Sequence, residues 1–304
     1  MSTTTRLNHA FYNAPELPLA PGTRYVLMSD CHRGSGTSSD NFLKNQHLYF
    51  AALKYYYRNG FSYIELGDGD ELWENRSMEN IIEIHSNVFW MFSLFHKENR
   101  LHMLYGNHDI KKRNKRYIDK NCSTYFCTET QCSMPLFPDL TFHEGLILRS
   151  VQAPERALYL THGHQASLLN STFWPLSQFF VRYLWRPLEN FGVLDPTSAA
   201  KNYTVKNKCE ERLSHWANTQ KKILITGHTH RPVLPTEPAY YYNTGSCVHP
   251  RCITCIEVEN CSLTLVKWTM TAHADSSLYV AREVLSGPVA LFRPYSCVLP
   301  EDIP

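Results

Sequence analysis

The sequence predicts an α/β protein whose first half builds a parallel β-sheet and whose second half adds a second, mixed sheet. Three observations carry this reading. Short apolar runs at residues 24–29, 61–66 and 101–105 alternate with two helical stretches. Six further strand-like segments follow at 139–150, 156–161, 222–226, 239–243, 252–258 and 262–270. Nearly every early strand also ends in a loop rich in His, Asp or Asn, where α/β proteins place their ligands. With 304 residues, 43% of them hydrophobic, the chain is long enough to bury one large core with insertions.

The elements follow in order. Residues 1–23 are polar and broken by prolines, and read as an N-terminal arm. They lack a basic start followed by an apolar stretch, so no signal peptide is expected. The run RYVLMS at 24–29 reads as a buried strand, followed by the Gly/Ser-rich loop DCHRGSGTSSD. Asp40 then stands where an N-cap would, ahead of a helical face formed by Phe42, Tyr49, Phe50, Leu53 and Tyr57, with Gly60 as the stop. A second strand (FSYIEL), a helix over about 78–98 and a third strand (LHMLY) complete the βαβ pattern. A stretch between 165 and 220 interrupts the later strands and reads as an inserted helical cap, which leaves 24–164 and 221–304 as the main domain. No run of about 18 apolar residues occurs, so no membrane-spanning helix is expected.

Thirty Lys and Arg against 28 Asp and Glu leave a formal charge of +2, too small to impose a nucleic-acid partner. Ten cysteines are scattered rather than dense, which points away from a secreted disulfide scaffold and toward a cytoplasmic protein with reduced thiols. Cys252 and Cys255 lie on opposite faces of a strand, and Cys122, Cys127 and Cys132 have irregular spacing, so neither set reads as a zinc site.

Five short motifs carry the chemistry. They are Asp30 and His32 in DCH, Asp68 in GDGDE, Asn107 and His108 in GNHD, His162 and His164 in THGH, and His228 and His230 in TGHTH. Each is a weak signal alone, but the ordered set, each member after a strand, points to one site. On an extended segment, Asp-x-His and His-x-His place both side chains on one side. A carboxylate can bridge two cations, and this mixture of imidazole, carboxylate and amide oxygen suits Mn, Fe or Zn better than Ca or Mg. Two such ions ~3.5–4 Å apart can hold a hydroxide and clamp a phosphoryl group. Arg33 and Arg231 flank the first and last motifs as candidate phosphate contacts.

This motif series resembles the calcineurin-like metallophosphoesterase superfamily over about residues 24–248. The resemblance implies two packed β-sheets flanked by helices, two divalent transition-metal ions with manganese first and iron or zinc as alternatives, and hydrolysis of a phosphate ester or anhydride. It places one metal on Asp30, His32, Asp68 and His230, and the other on Asp68, Asn107, His162 and His228, with Asp68 shared. It makes His108 a proton donor to the leaving group, oriented by an acid three residues after Asp68. Glu71 has that spacing, with Asp70 as its rival. His164 is left as a supporting residue or a substrate contact.

The branch most similar in its motifs is that of the bacterial UDP-2,3-diacylglucosamine hydrolases, through LGDGDE, the HG motif before a helical insertion, and GHTHRP. Those enzymes commonly carry Arg at the position of His108, and the text YYYNTGSCVHPRC is not typical of them. A phosphatase or pyrophosphatase acting on a phosphorylated small-molecule or lipid-linked substrate is therefore the leading expectation. A metal-dependent nuclease or phosphodiesterase, and a non-catalytic interaction module, are its rivals. The aromatic stretch 173–191 could pack as a cap, line an apolar substrate site, or touch the inner face of a membrane through Arg182 and Arg186. The basic run Lys111, Lys112, Arg113, Lys115 and Arg116 could attract a polyanion or be a solvated face.

Overall fold

The computed structural model describes residues 1–37, 40–127, 130–185 and 202–291. Two mixed sheets stack face to face, with helices covering both outer faces. The larger sheet has seven strands: β2 (Arg24–Met28), β3 (Ser62–Leu66), β4 (Leu101–Leu104), β7 (Phe142–His143), β12 (Cys252–Glu259), β13 (Ser262–Ala272) and β14 (Leu278–Ala290). Strands β2, β3, β4 and β7 run parallel, and β12, β13 and β14 continue from β2 as antiparallel neighbours. The smaller sheet orders β1 (Glu16–Leu19), β8 (Gly145–Ser150), β9 (Ala157–Thr161), β10 (Ile223–Thr226) and β11 (Tyr241–Asn243), parallel except between β8 and β9. A hairpin, β5 (Thr124–Cys127) and β6 (Cys132–Pro135), stands apart.

The period of two along each strand sorts the core into layers. In β2, Tyr25 and Leu27 face the second sheet and, with Ile64 and Leu104 of their own sheet, meet its Leu146, Leu148, Leu158, Leu160 and Ile225. Val26 and Met28 face the other way, onto α2 (Gln46–Arg58) and α4 (Ser86–Lys97), through Tyr49, Leu53, Tyr56, Phe92 and Phe95. On the far side, Ile147, Ala157 and Leu224 meet Leu7 and Phe11 of α1 (Thr3–Tyr12) and Leu213 and Trp216 of α8 (Tyr203–Gln220). The layering is thus helix, sheet, sheet, helix.

Several elements depart from the sequence expectation. Residues 1–23, read as an arm, hold α1 and β1. Ser2 caps the helix, and Leu7, Ala10 and Phe11 bury one face at helical spacing. The helix expected over 78–98 is two, α3 (Met78–Ile84) and α4, broken at His85, whose side chain turns inward to Asp40. Strand β14, at the sheet edge where Pro288 is tolerated, was not expected. Within 165–220 lie α6 (Leu168–Ser171), α7 (Trp174–Phe180), a π-helical turn Val181–Trp185, and α8. Arg186, Leu188 and Phe191 fall outside the described residues.

Two buried polar clusters fasten the loops beyond β2 and β3. Asp40 accepts hydrogen bonds from the backbone N–H of Gly36, Phe42 and Leu43 at 3.0, 3.1 and 3.1 Å, and from His85 Nε2 at 3.0 Å. Burial pushes the Asp40 carboxyl up, but His85 and the Gly36 N–H outweigh it and hold the carboxyl below its usual value. The second cluster centres on Arg33, which is fully buried. Its guanidinium donates to both Glu65 oxygens at 2.8 and 3.0 Å and to Asp70 Oδ1 at 2.6 Å. It also lies 5.5 and 5.2 Å from the rings of Phe89 and Phe92. Lys112 joins the cluster through Asp70 and, at 3.0 Å, Asp109.

Each cluster yields a stability prediction. Asp40→Asn lowers the unfolding free energy by about 1–3 kcal/mol at neutral pH. Because the folded-state pKa is depressed, this contribution is present above the unfolded value of about 3.9 and is lost as pH falls through the folded one. Urea titrations of wild type and variant should therefore converge in acid, and a gap that is constant with pH would refute the account. Arg33→Met leaves buried Glu65 without a cation and Asp70 with Lys112 alone, and should cost about 3–5 kcal/mol. A loss below about 1 kcal/mol, the range of a surface pair, would contradict the burial argument.

Candidate metal centre

All five motifs sit at carboxyl ends of strands: Asp30 and His32 after β2, Asp68 after β3, Asn107 after β4, His162 after β9, and His228 and His230 after β10. The two sheets therefore deliver ligands to one place from opposite sides. The side chains do not converge through extended backbone, as the strand period suggested. Asp30, His32, Asp68, His228 and His230 all have positive φ, between 48° and 68°, a left-handed conformation sparsely populated by residues with a Cβ. Each ligand pair is turned inward by a tight bend just beyond its strand.

The bends lock onto one another. His32 N donates to Asp68 O at 2.9 Å, Glu71 N to Arg33 O at 3.0 Å, and Gly227 N to His162 O at 3.0 Å. Gly106 admits a close approach, since a Cβ there would lie 2.1 Å from Asp68 Oδ1. That oxygen accepts from His108 N at 2.8 Å.

Two side-chain clusters result, and each could hold a metal ion. Asp30, His32 and His230 form one, and Asp68, His162 and His228 the other, while a third grouping among the described residues, His32, Glu71 and His108, shares His32 with the first. His32 Nε2 lies 3.3 Å from His230 Nε2 and 3.9 Å from an oxygen of both Asp30 and Asp68. His230 Nε2 is 3.1 Å from Asp30 Oδ1, an oxygen without an aligned hydrogen-bond donor. In the second cluster, His162 Nε2 is 3.1 Å from Asp68 Oδ2 and 3.2 Å from His228 Nδ1. Asp68 thus lies between the two.

Tautomers follow from the outer partners. His162 Nδ1 is 2.9 Å from the Leu66 carbonyl, which can only accept, so that nitrogen carries the proton and Nε2 presents its lone pair. His32 Nδ1 donates likewise to Glu71 at 3.0 Å. Asn107 Oδ1 is buried with no hydrogen-bond partner, as expected for an oxygen that would meet a cation. The clusters also favour positive charge. Burial pulls both imidazoles down, yet His32 is raised to about 10 by the hydrogen bond it donates to Glu71 and by the charges of Asp68, Glu71 and Asp30, and His162 to about 9 by Asp68 and Asp30. Burial and the neighbouring His162 press His228 down to about 3. So negative a surround would keep a proton on His32 and His162 without metal, and a divalent cation in each cluster would take that proton's place on Nε2.

His108 stands beside the clusters. Its Nδ1 bonds Glu71 Oε1 at 2.9 Å, its ring stacks on Trp73 at 4.2 Å, and its side chain is 21% exposed, so the ring keeps access to solvent. Burial opposes its charge, but Glu71 and Asp68 raise its pKa above the usual value. Of the two rival acids, Glu71 touches His32 and His108, while Asp70 is spent on Arg33 and Lys112.

The three candidate substrate contacts fare differently. Arg33 is a correction: with no exposed surface and every guanidinium nitrogen bonded to Glu65 or Asp70, it cannot reach a substrate. Arg231 is partly exposed but paired with Glu210 of α8. His164 is 2% exposed, 5.5 Å ring to ring from His162, its Nδ1 without a partner. Burial, with His162 and His228 adding to it, holds His164 well below its usual pKa. The basic run also divides, because Lys112 points into the core.

Sequence reasoning missed the support around these residues. Asn243 Nδ2 donates to Gly227 O at 2.7 Å, Ser29 Oγ lies 2.7 Å from Thr244 Oγ1, and Asn170 of α6 brings Nδ2 within 3.5 Å of His228 Nε2. Of these, only the NTG text after β11 offered a signal, a turn next to a strand end.

No family model matches the chain, and no curated protein matches it. Among solved structures the chain is similar to Vps29 of Chaetomium thermophilum, with 11% identical residues, 87% of this chain and 96% of that chain covered, and a TM-score of 0.36. A likeness of that order carries no functional argument.

Proposed function

We propose that this protein is a hydrolase of phosphate esters or pyrophosphates that works with two divalent transition-metal ions, in the manner of calcineurin-like metallophosphoesterases. The observation that supports it best is the pair of clusters meeting at Asp68 with His108 and Glu71 alongside. Asp30, His32, Asp68 and His230 would hold one ion, and Asp68, Asn107, His162 and His228 the other, with manganese first among the candidates. When bound, the ions would neutralise phosphoryl charge and lower the pKa of a water.

The chain's own groups supply the rest. Glu71 fixes the His108 ring through Nδ1 and favours its protonated form, so that Nε2–H is positioned to donate to a departing oxygen. Trp73 stacks on that ring and limits its rotation. Asp68 Oδ1, by accepting from His108 N, ties the donor's backbone to the shared ligand.

A substrate with an apolar tail, or contact with a lipid surface, is favoured by one observation. Leu169, Phe173, Leu176, Phe179, Phe180 and Tyr183 of the insertion are each 40–55% exposed rather than packed as a cap. No helix among the described residues is long and apolar enough to cross a membrane.

Three expected outcomes test the proposal. Purified protein should contain Mn, Fe or Zn and hydrolyse model phosphate mono- or diesters or pyrophosphate. Asp68→Ala should lose both metal and activity, whereas His108→Ala should keep its metal and lose about 10²–10⁴-fold in kcat. Stripping the metal with a chelator should lower the melting temperature, since an ion at 100 times its Kd stabilises by about 2.7 kcal/mol per site. Protein that binds no transition metal under any condition, and melts identically with and without chelator, would sink the reading.

A further inference from the structure

Two of the buried histidines are steadied from outside by acceptors that belong to the main domain. His162 bonds outward through Nδ1 to the Leu66 carbonyl at 2.9 Å, and His32 through Nδ1 to Glu71 at 3.0 Å, which leaves Nε2 as the nitrogen that faces the cluster. His228 is turned the other way. Its Nδ1 lies 3.2 Å from His162 Nε2, which is itself 3.1 Å from Asp68 Oδ2, so Nδ1 is the inward atom and Nε2 the outward one. His228 is 5% exposed, and among the described residues its Nε2 has one partner within hydrogen-bond reach, the side-chain amide of Asn170 at 3.5 Å.

A ring nitrogen that ligates must be bare, so a neutral His228 would carry its proton on Nε2 and need an acceptor there. Asn170 can supply one. A half-turn of its amide about Cβ–Cγ exchanges Nδ2 for Oδ1 and moves nothing else. The residue is 6% exposed, and among the described residues its amide makes no other hydrogen bond. Its place is fixed by the turn that opens α6, where the Ser167 hydroxyl accepts from Asn170 N at 3.3 Å. The Ser177 hydroxyl of α7 donates to Leu169 O at 3.1 Å and ties the next helix to the same turn. One short segment, 162–170, thus carries a candidate ligand of the second cluster and the outer partner of another.

We propose that Asn170 is a positioning residue: its Oδ1 accepts from His228 Nε2–H, fixes the tautomer that presents Nδ1 to a metal ion, and makes the root of the insertion part of the metal centre. This rests on the two-metal reading and deepens it, because the insertion then helps to hold the ion as well as covering the site.

Zinc and manganese affinities of the full-length, metal-stripped chain, measured by competition with a chromophoric chelator, test this without turnover. The wild type should bind two ions. Asn170→Leu keeps the size of the side chain but has no acceptor, and should weaken one of the two sites by about 10–100-fold while leaving the other unchanged. Asn170→Asp keeps the shape and places an oxygen opposite Nε2 in either orientation, so that site should bind at least as tightly as in the wild type. A side chain that merely fills space predicts the reverse order, with leucine tolerated and the buried carboxylate not. If the wild type binds neither metal, the two-metal reading fails and takes this inference with it. If it binds two ions and Asn170→Leu matches it, or Asn170→Asp weakens the same site, the role of Asn170 alone is overturned.

Discussion

Everything around the clusters depends on one constraint: imidazole lone pairs and carboxylate oxygens from two sheets must meet at Asp68. Five of the side chains that do so sit in left-handed backbone, which costs on the order of 1–3 kcal/mol each for residues with a Cβ. Such bends persist only if their surroundings over-determine them. The parallel hydrogen bonds joining the DCH and GDGDE loops, the contact of Gly106 with Asp68, and the Asn243 bond to Gly227 do this from three sides. The buried Arg33 cluster does it from beneath. It clamps the loop after β2 to the loop after β3 at the residue next to His32. The strongest ion-pair cluster in the described chain is thus scaffolding for the bends and lies outside the reach of any substrate.

The fold was legible where residue type and period agreed. Val26 and Leu27 point to opposite layers because a strand alternates, so an uninterrupted apolar run meant a strand buried on both faces. Residues 1–23 were illegible because their polar and proline content masked four residues, Arg6, Leu7, Ala10 and Phe11, that bury one helical face. β14 escaped because an edge strand need not alternate cleanly and can carry Gly287 and Pro288. The break at His85 escaped because its cause lies 45 residues away, in Asp40.

The candidate ligands were legible for a different reason. His, Asp and Asn are unusual just beyond apolar strands, so their identity and position sufficed even though the geometric explanation was wrong. Extended backbone would also place Asp30 and His32 on one side, but the structure reaches that end through bends. Arginines resisted the same treatment. Arg33 and Arg231 stand equally close to ligand motifs in sequence, yet one is sealed among Glu65, Asp70 and two phenylalanine rings and the other leans on α8. Proximity in sequence says little about a long, flexible cation, whose partner decides its direction.

That difference explains why substrate recognition was the least readable part of the chain. Ligand chemistry is local: two or three residues after a strand form a recognisable unit. The contacts that dock the insertion are not, since they join Leu72, Trp73 and Arg76 of the loop after β3 to Gln178, Arg182 and Tyr183, none remarkable in its own segment. Sequence placed Lys111 in a run of five basic residues, yet the fold sends Lys112 inward to Asp70 and Asp109 and pairs Lys115 with Asp119. Arg182 and Gln178 dock that insertion onto the loop that carries Trp73, so direct contacts connect the insertion to the ring that stacks on His108. Substitutions in the insertion should then alter turnover as well as affinity, because a shift at Leu72 and Trp73 reaches His108 through direct ring contact.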